Sequence, residues 1–239
     1  YLVIIPARIG SKRLPGKPLI KLKGVSIIQR THSKCAKAVT KDYVYVATDS
    51  KKIYDHCKQN RMNCIMTSKK CLTGSDRIAE AAKKINSKYY VNIQGDEPFF
   101  AVKDILTLIK YSKKFPKMII AGYANIKHSH QYFSKNVPKV VLNNKNELMY
   151  MSRAPIPGNK ENKFYNAYRQ VCGYVLPKKK LSLFYNRKKK SKFENIEDIE
   201  ILHFLEMGEK VKMVKLSDSS ISIDTKSDIV LAKKKLKIK

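Results

Sequence analysis

No stretch of the 239 residues approaches the ~18 consecutive apolar positions of a membrane span, so membrane insertion is not expected. The opening apolar run is short and gives way to a loop of glycine, proline and cations, which fits a strand better than a secretory leader. CxxC spacing is missing as well. Cys35, Cys57, Cys64, Cys71 and Cys172 are odd in number and scattered, which argues against a disulfide framework or a zinc site and suits a reducing cytoplasm. Acidic residues are scarce, 19 against 50 lysines and arginines, for a formal charge of +31. That imbalance invites a nucleic-acid reading. Only eight of the fifty cations are arginine, however, and they are spread along the whole chain with no RNP or zinc-finger signature. A lysine-biased composition explains the charge as well as a binding stripe does, and nucleic acid is not the expected partner. The familiar phosphate motifs are absent too. Gly10 and Gly16 are separated by five residues where a P-loop has four, Lys17 is followed by Pro18 with no hydroxyl for a metal, and there is no GxGxxG.

What is present begins at the front. Tyr1-Leu-Val-Ile-Ile-Pro-Ala reads as a buried parallel strand, and Arg8, Lys12, Arg13 and Lys17 follow within ten residues of its end. Loops at the carboxyl ends of parallel strands are where α/β sheets bind ligands, and a cationic, glycine-permissive loop there suits a polyphosphate. Helical periodicity over 26–38, a strand over 43–47, a helix over 51–60, a short strand over 64–66, a helix over 77–85 and a strand over 89–93 follow in strict alternation. That alternation predicts an α/β chain with a mostly parallel central sheet covered by helices. Beyond it, strands are expected over 118–125, 138–142, 147–153, 170–176 and 211–216, and helices over 178–185, 196–206 and 226–236. His128-Ser-His130 and Lys188–Lys192 read as solvated surface. No repeat or linker divides the chain, so one domain over 1–239 is expected, with a smaller middle lobe over roughly 125–215.

Two carboxylates stand out. Asp96 follows a buried strand and Gly95, and Asp224 follows the apolar stretch 221–223 in a strand-to-helix turn. Both should emerge near the opening loop, where two acids opposite several cations suit Mg²⁺ bridging phosphates. An Asp-Thr pair before a helix is equally an ordinary N-cap, so the residues alone leave Asp224 open between the two roles. No Ser/His/Asp arrangement offers a covalent nucleophile.

The opening loop, Gln94-Gly-Asp-Glu-Pro98, Val140-Val-Leu142, Ser152-Arg-Ala-Pro-Ile-Pro157 and Ile223-Asp-Thr225 occur in one order along nearly the whole chain. Together they resemble the 3-deoxy-manno-octulosonate (KDO) cytidylyltransferase family and, more distantly, CMP-sialic acid synthetases. The resemblance implies a Rossmann-like nucleotidyltransferase fold, a homodimer, Mg²⁺ dependence, and transfer of CMP from CTP to KDO with release of pyrophosphate, as in lipopolysaccharide biosynthesis. By position it implies that Arg8, Ser11, Arg13 and Lys17 hold the triphosphate, and that Thr73, Gly74, Ser75 and Arg77 help read the cytosine and ribose. Asp96 and Asp224 would hold Mg²⁺ and act with Lys17 in catalysis. Gln94, Arg153, Gln170, Tyr174 and Glu200 would line the sugar side, in a lobe that also dimerises.

Departures from the family pattern cluster on that sugar side. Gln170 stands where the family has His, Pro177 where it has Arg, and Ile201 and His203 where it has Gln and Arg, while Glu200 is kept. A buried polar site discriminates by the groups it leaves unpaired. An amino-substituted or otherwise altered ulosonic acid is therefore the alternative substrate, and a basic nucleic-acid-binding protein on the same fold is the alternative class.

Overall fold

The computed structural model describes residues 1–11 and 13–236; Lys12 of the opening loop lies outside them, as do the last three positions. The first strand, β1 (Leu2–Ala7), forms where Val3, Ile4 and Ile5 find complete burial. Past it the chain turns back on itself: the amides of Ser11 and Gly16 both donate to Ile9 O. Gly16 takes φ +68°, a left-handed conformation that glycine adopts without steric cost, and so starts the 3-10 turn Lys17–Leu19. A small hairpin, β2 (Lys21–Leu22) with β3 (Val25–Ser26), delivers the chain to α1 (Ile27–Val39), whose first turn Ser26 caps by accepting the Gln29 amide at 3.2 Å.

The expected alternation continues through β4 (Val44–Thr48), α2 (Lys51–Gln59), β5 (Asn63–Met66), α3 (Gly74–Lys84) and β6 (Tyr89–Ile93). Next comes α4 (Val102–Lys114), which the sequence reading does not name. Its N-cap, Ala101, makes no side-chain bond, so the usual start signal is missing, yet Ile105 and Leu108 bury its inner face. Then follow β7 (Ile119–Asn125), the single-turn α5 (Ser129–Phe133), and the hairpin β8 (Lys139–Leu142) and β9 (Leu148–Ser152). The ten-residue β10 (Tyr168–Pro177) precedes α6 (Lys192–Glu197), α7 (Leu202–Glu206), β11 (Val211–Lys215) and α8 (Lys226–Lys235).

Seven strands follow the order β11-β7-β10-β6-β1-β4-β5. All neighbours on that path are parallel except those of β10, which runs against both β7 and β6. The fold is thus α/β with a mostly parallel central sheet, as the alternation predicts. Of the span 125–215, β10 and β11 lie within this central sheet, and β8 and β9 extend from the first residues of β10.

Two helices differ from expectation. Residues 178–184 form a 3-10 turn, and the helix expected over 196–206 is broken into α6 and α7 at Asp198, which sits at φ +50°. The break has a chemical reason: it turns the carbonyls of Glu197 and Asp198 outward, and Arg153 donates to both, at 2.6 and 3.1 Å.

Separate hydrophobic clusters cover the sheet, one around Ile4, Tyr90 and Phe204, another around Val3, Val91 and Phe100. A third and smaller cluster matters most for function. Leu14 of the opening loop, Leu22, Ile27, Phe99, Ile223 and Ala232 pack together and tie the end of the chain to its beginning. Burying each of its larger side chains contributes about 1.5–3 kcal/mol.

Candidate active site

Arg8 leaves the end of β1, Asp49 the end of β4, and the 94–98 segment the end of β6, so all three meet at the carboxyl edge of parallel strands. Close approach is built in. A Cβ on Gly95 would lie 2.9 Å from the backbone oxygen of Pro6, so glycine is required there, and one on Gly74 would lie 2.9 Å from Gln94 Nε2 and push that side chain aside.

Asp224 arrives from far along the chain, on a path pinned at three points. Asp104 accepts the amide and the hydroxyl of Ser217, Glu97 accepts the Ser220 hydroxyl, and the Ile223 amide donates to Asp96 O at 3.0 Å. Burial, then the charge of Asp96, pushes the Glu97 carboxyl up to about 8. Capping of α8 falls to Thr225, in a capping box with Asp228, so the Asp224 carboxylate is not the cap. It points instead at Lys17.

There the cluster closes. Lys17 Nζ donates to Asp96 Oδ2 at 2.5 Å and to Asp224 Oδ1 at 3.0 Å, and Arg13 Nη2 reaches Asp224 Oδ1 at 3.2 Å. Burial works against the charge on Lys17, but Asp96 and then Asp224 outweigh it and hold its pKa above the ordinary lysine value. The position between the acids therefore already accepts a cation, and a pair of hard carboxylate oxygens fits Mg²⁺ when phosphates supply further ligands. Among the described residues no group of three or more acidic, histidine or cysteine side chains forms a complete metal cage.

Beside this cluster lies a polar group around Glu200. Its half-buried carboxylate, raised in pKa by burial, accepts from Ser75 N at 2.9 Å, Gln94 Nε2 at 3.0 Å and Asn92 Nδ2 at 3.4 Å. Thr73 caps α3 in a capping box with Asp76, and the Gly74 amide lies at the helix start beside the Ser75 amide that Glu200 holds. Arg77 is buried and its guanidinium is committed to Asp49 at 2.9 Å and Thr67 at 2.6 Å, so it braces the ends of β4 and β5. Gln170 Nε2 donates to the Tyr174 hydroxyl at 2.5 Å. A bulge between Val171 and Tyr174 shortens the strand between them, and a Cβ on Gly173 would lie 2.6 Å from Phe100.

Of the residues expected at the site, Lys17, Arg13, Asp96 and Asp224 form one cluster, and Gln94, Ser75 and Glu200 a second. Ser11 shapes the loop by accepting the Leu14 amide at 3.4 Å, and Arg8 is exposed. Arg153 stands across from them, its guanidinium on the carbonyls of Lys135, Glu197 and Asp198. Arg8 and Arg153 both help hold the Asp198 carboxyl below its usual range, a shift caused first by Lys190.

Two contributors escape the sequence reading. Arg187 is buried between Asp76 and Glu194, pairing with each at 2.6–3.1 Å. Lys139 is fully buried and donates to the carbonyls of Ser134 and Arg153 at 2.9 and 2.5 Å. Arg187 was legible only as one arginine heading a run of lysines, which reads as surface.

Residues 2–211 match the family model described as cytidylyltransferase. The chain belongs to the cytidylyltransferase family. This cytidylyltransferase is 35% identical over 239 residues to the 3-deoxy-manno-octulosonate cytidylyltransferase of Christiangramia forsetii, covering 98% of this chain and 96% of that protein. It is 34% identical to the protein named mitochondrial 3-deoxy-manno-octulosonate cytidylyltransferase in Arabidopsis thaliana, over 95% of this chain and 79% of that one. A solved CMP:2-keto-3-deoxy-manno-octonic acid synthetase complexed with CTP superposes with a TM-score of 0.90 at 26% identity, covering 99% of the cytidylyltransferase and 98% of that chain. HddC from Yersinia pseudotuberculosis, complexed with GMP-PN, shares the fold at a TM-score of 0.74 and 17% identity, over 99% of each chain. No helix among the described residues is long and apolar enough to cross a membrane.

Proposed function

We propose that this cytidylyltransferase transfers CMP from CTP to the anomeric hydroxyl of KDO and releases pyrophosphate, in the cytoplasm and for lipopolysaccharide biosynthesis. The observation that carries the reading is the meeting of Asp96 and Asp224 on one lysine of the opening loop, at the edge where α/β sheets bind ligands. The sugar hydroxyl attacks the α-phosphorus in line, the bond from that phosphorus to the β-phosphate oxygen breaks, and the hydroxyl proton is lost to solvent. Little covalent work falls to the protein, so positioning and charge neutralisation carry the rate.

Arg8, Arg13 and Lys17 neutralise the triphosphate and the charge that gathers on the departing pyrophosphate, with Ser11 shaping their loop. Thr73, Gly74 and Ser75 present a helix start to the nucleotide, and Arg77 fixes the loop beside it. Gln94, Gln170, Tyr174 and Glu200 form the polar wall for the sugar, and Arg153 faces its carboxylate. Asp96 and Asp224 would hold Mg²⁺, which when bound lowers repulsion between the phosphates and the incoming oxygen.

The middle lobe, with β8, β9 and α6, would serve sugar binding and a homodimer. Phe193 and Ile196, three residues apart on α6, are 41% and 67% exposed, an apolar face that a second copy would cover. A second substrate is favoured by one observation: Gln170, where the family has His, is buried and bonded to Tyr174. An amino-substituted ulosonic acid would meet a different set of donors and acceptors there. The deciding experiment incubates the protein with CTP, Mg²⁺ and a panel of ulosonic acids and follows pyrophosphate. Release that needs CTP, metal and KDO together is the expected result, and no release with any ulosonic acid refutes the reading.

A further inference from the structure

One ammonium fills the space between the two acids. Lys17 Nζ is 2.5 Å from Asp96 Oδ2 and 3.0 Å from Asp224 Oδ1, and Arg13 adds a second cation to Asp224 at 3.2 Å. Two negative charges face two positive ones, so the cluster is balanced without any outside ion. Nor is the arrangement a loose surface contact. The Lys17 side chain is 13% exposed, and the Ile223–Asp96 backbone bond holds the two acidic segments together.

A divalent cation arriving alone would have to expel that ammonium and leave it stranded nearby, like charge beside like charge in a half-buried site. A triphosphate alters the balance. Its oxygens give Lys17 and Arg13 a new partner, and the carboxylates are released for metal in the same step. The two ligands then help each other by the same factor, since coupling between sites is reciprocal.

We propose that Lys17 is a placeholder cation that keeps Asp96 and Asp224 closed to divalent metal until the nucleotide's triphosphate draws it away, so that metal and nucleotide enter as one coupled event. The inference rests on the reading that these two acids are the metal ligands.

Mn²⁺ serves as the probe, with the unbound ion followed by its electron paramagnetic resonance signal. It is titrated without nucleotide into wild type, K17M, K17Q and the double variant K17M/D96N, each checked for native circular dichroism. K17M and K17Q are expected to bind Mn²⁺ tighter than wild type by roughly ten- to a hundredfold, within the usual range of coupling between sites, and the double variant to lose that gain. A second arm compares Mn²⁺ held by the protein with CTP in wild type and D96N. If D96N abolishes that binding while neither Lys17 variant gains affinity, the placeholder role is refuted and the metal site stands. If D96N leaves it unchanged, the metal reading fails and the placeholder role falls with it.

Discussion

Replacing Lys139 with Met should reshape the dependence of stability on pH. The Lys139 ammonium is fully enclosed on β8, and burial first, then repulsion from Arg153, lowers its pKa from the ordinary 10.5 to about 8, with Glu197 opposing. A lysine depressed in the folded state binds fewer protons folded than unfolded between those two values. Stability must therefore rise with pH from about 8 to 10.5 on its account, and below 8 the protein carries the whole cost of a buried charge. A shift of 2.5 units corresponds to about 3 kcal/mol. Against this stand two bonds, to Ser134 O at 2.9 Å and Arg153 O at 2.5 Å, whose loss leaves buried carbonyls unmet at a cost of about 1–3 kcal/mol each. Near pH 7 the variant should thus lie within about 3 kcal/mol of wild type, and by pH 10.5 wild type should have gained about 3 kcal/mol relative to it. Urea unfolding of both proteins at intervals from pH 7 to 10.5 measures the difference. Parallel curves would show that Lys139 does not titrate as its surroundings require, and the electrostatic account of the Arg153 turn would fail.

The remaining predictions concern the site more directly. Asp96→Asn should nearly abolish pyrophosphate release while leaving the thermal midpoint within a few degrees of wild type; near-normal turnover would remove Asp96 from the chemistry. Arg187→Met strands two buried carboxylates, Asp76 and Glu194, and should cost about 3–5 kcal/mol in urea unfolding; a loss under 1 kcal/mol would mean that those acids find other partners. Gln170→His should change the ratio of rates on KDO and on amino-substituted ulosonic acids, and an unchanged ratio would show that Gln170 does not choose the sugar.

Much of the first half was legible because its signals are local. Strands β1, β4, β5 and β6 are short, largely apolar runs, and Ser50 and Thr73 mark helix starts with side chains that do cap them, whereas the two-residue strands β2 and β3 carry no such run. Where the signal is not local, the reading falls short. Ala101 cannot announce α4, and the break at Asp198 answers to Arg153, far away in the chain. Likewise the acids at 96 and 224 were recognisable as candidates, but that Asp224 is not the cap of α8 shows only in the Thr225–Asp228 box. Lys139 and Arg187 illustrate a further difficulty. In a chain with fifty cations nothing in composition separates the buried lysine or arginine from the solvated ones. Only the enclosing carbonyls and carboxylates do so.

The late arrival of Asp224 bears on how the protein is made. A polypeptide still on the ribosome with β11 just formed would contain every strand of the sheet, yet would offer Lys17 a single acid. Ile223 would not yet have met Leu14, Leu22 and Phe99. If Asp224 holds the metal as proposed, catalysis waits for the tail to dock, and a copy that ends before residue 224 would be silent.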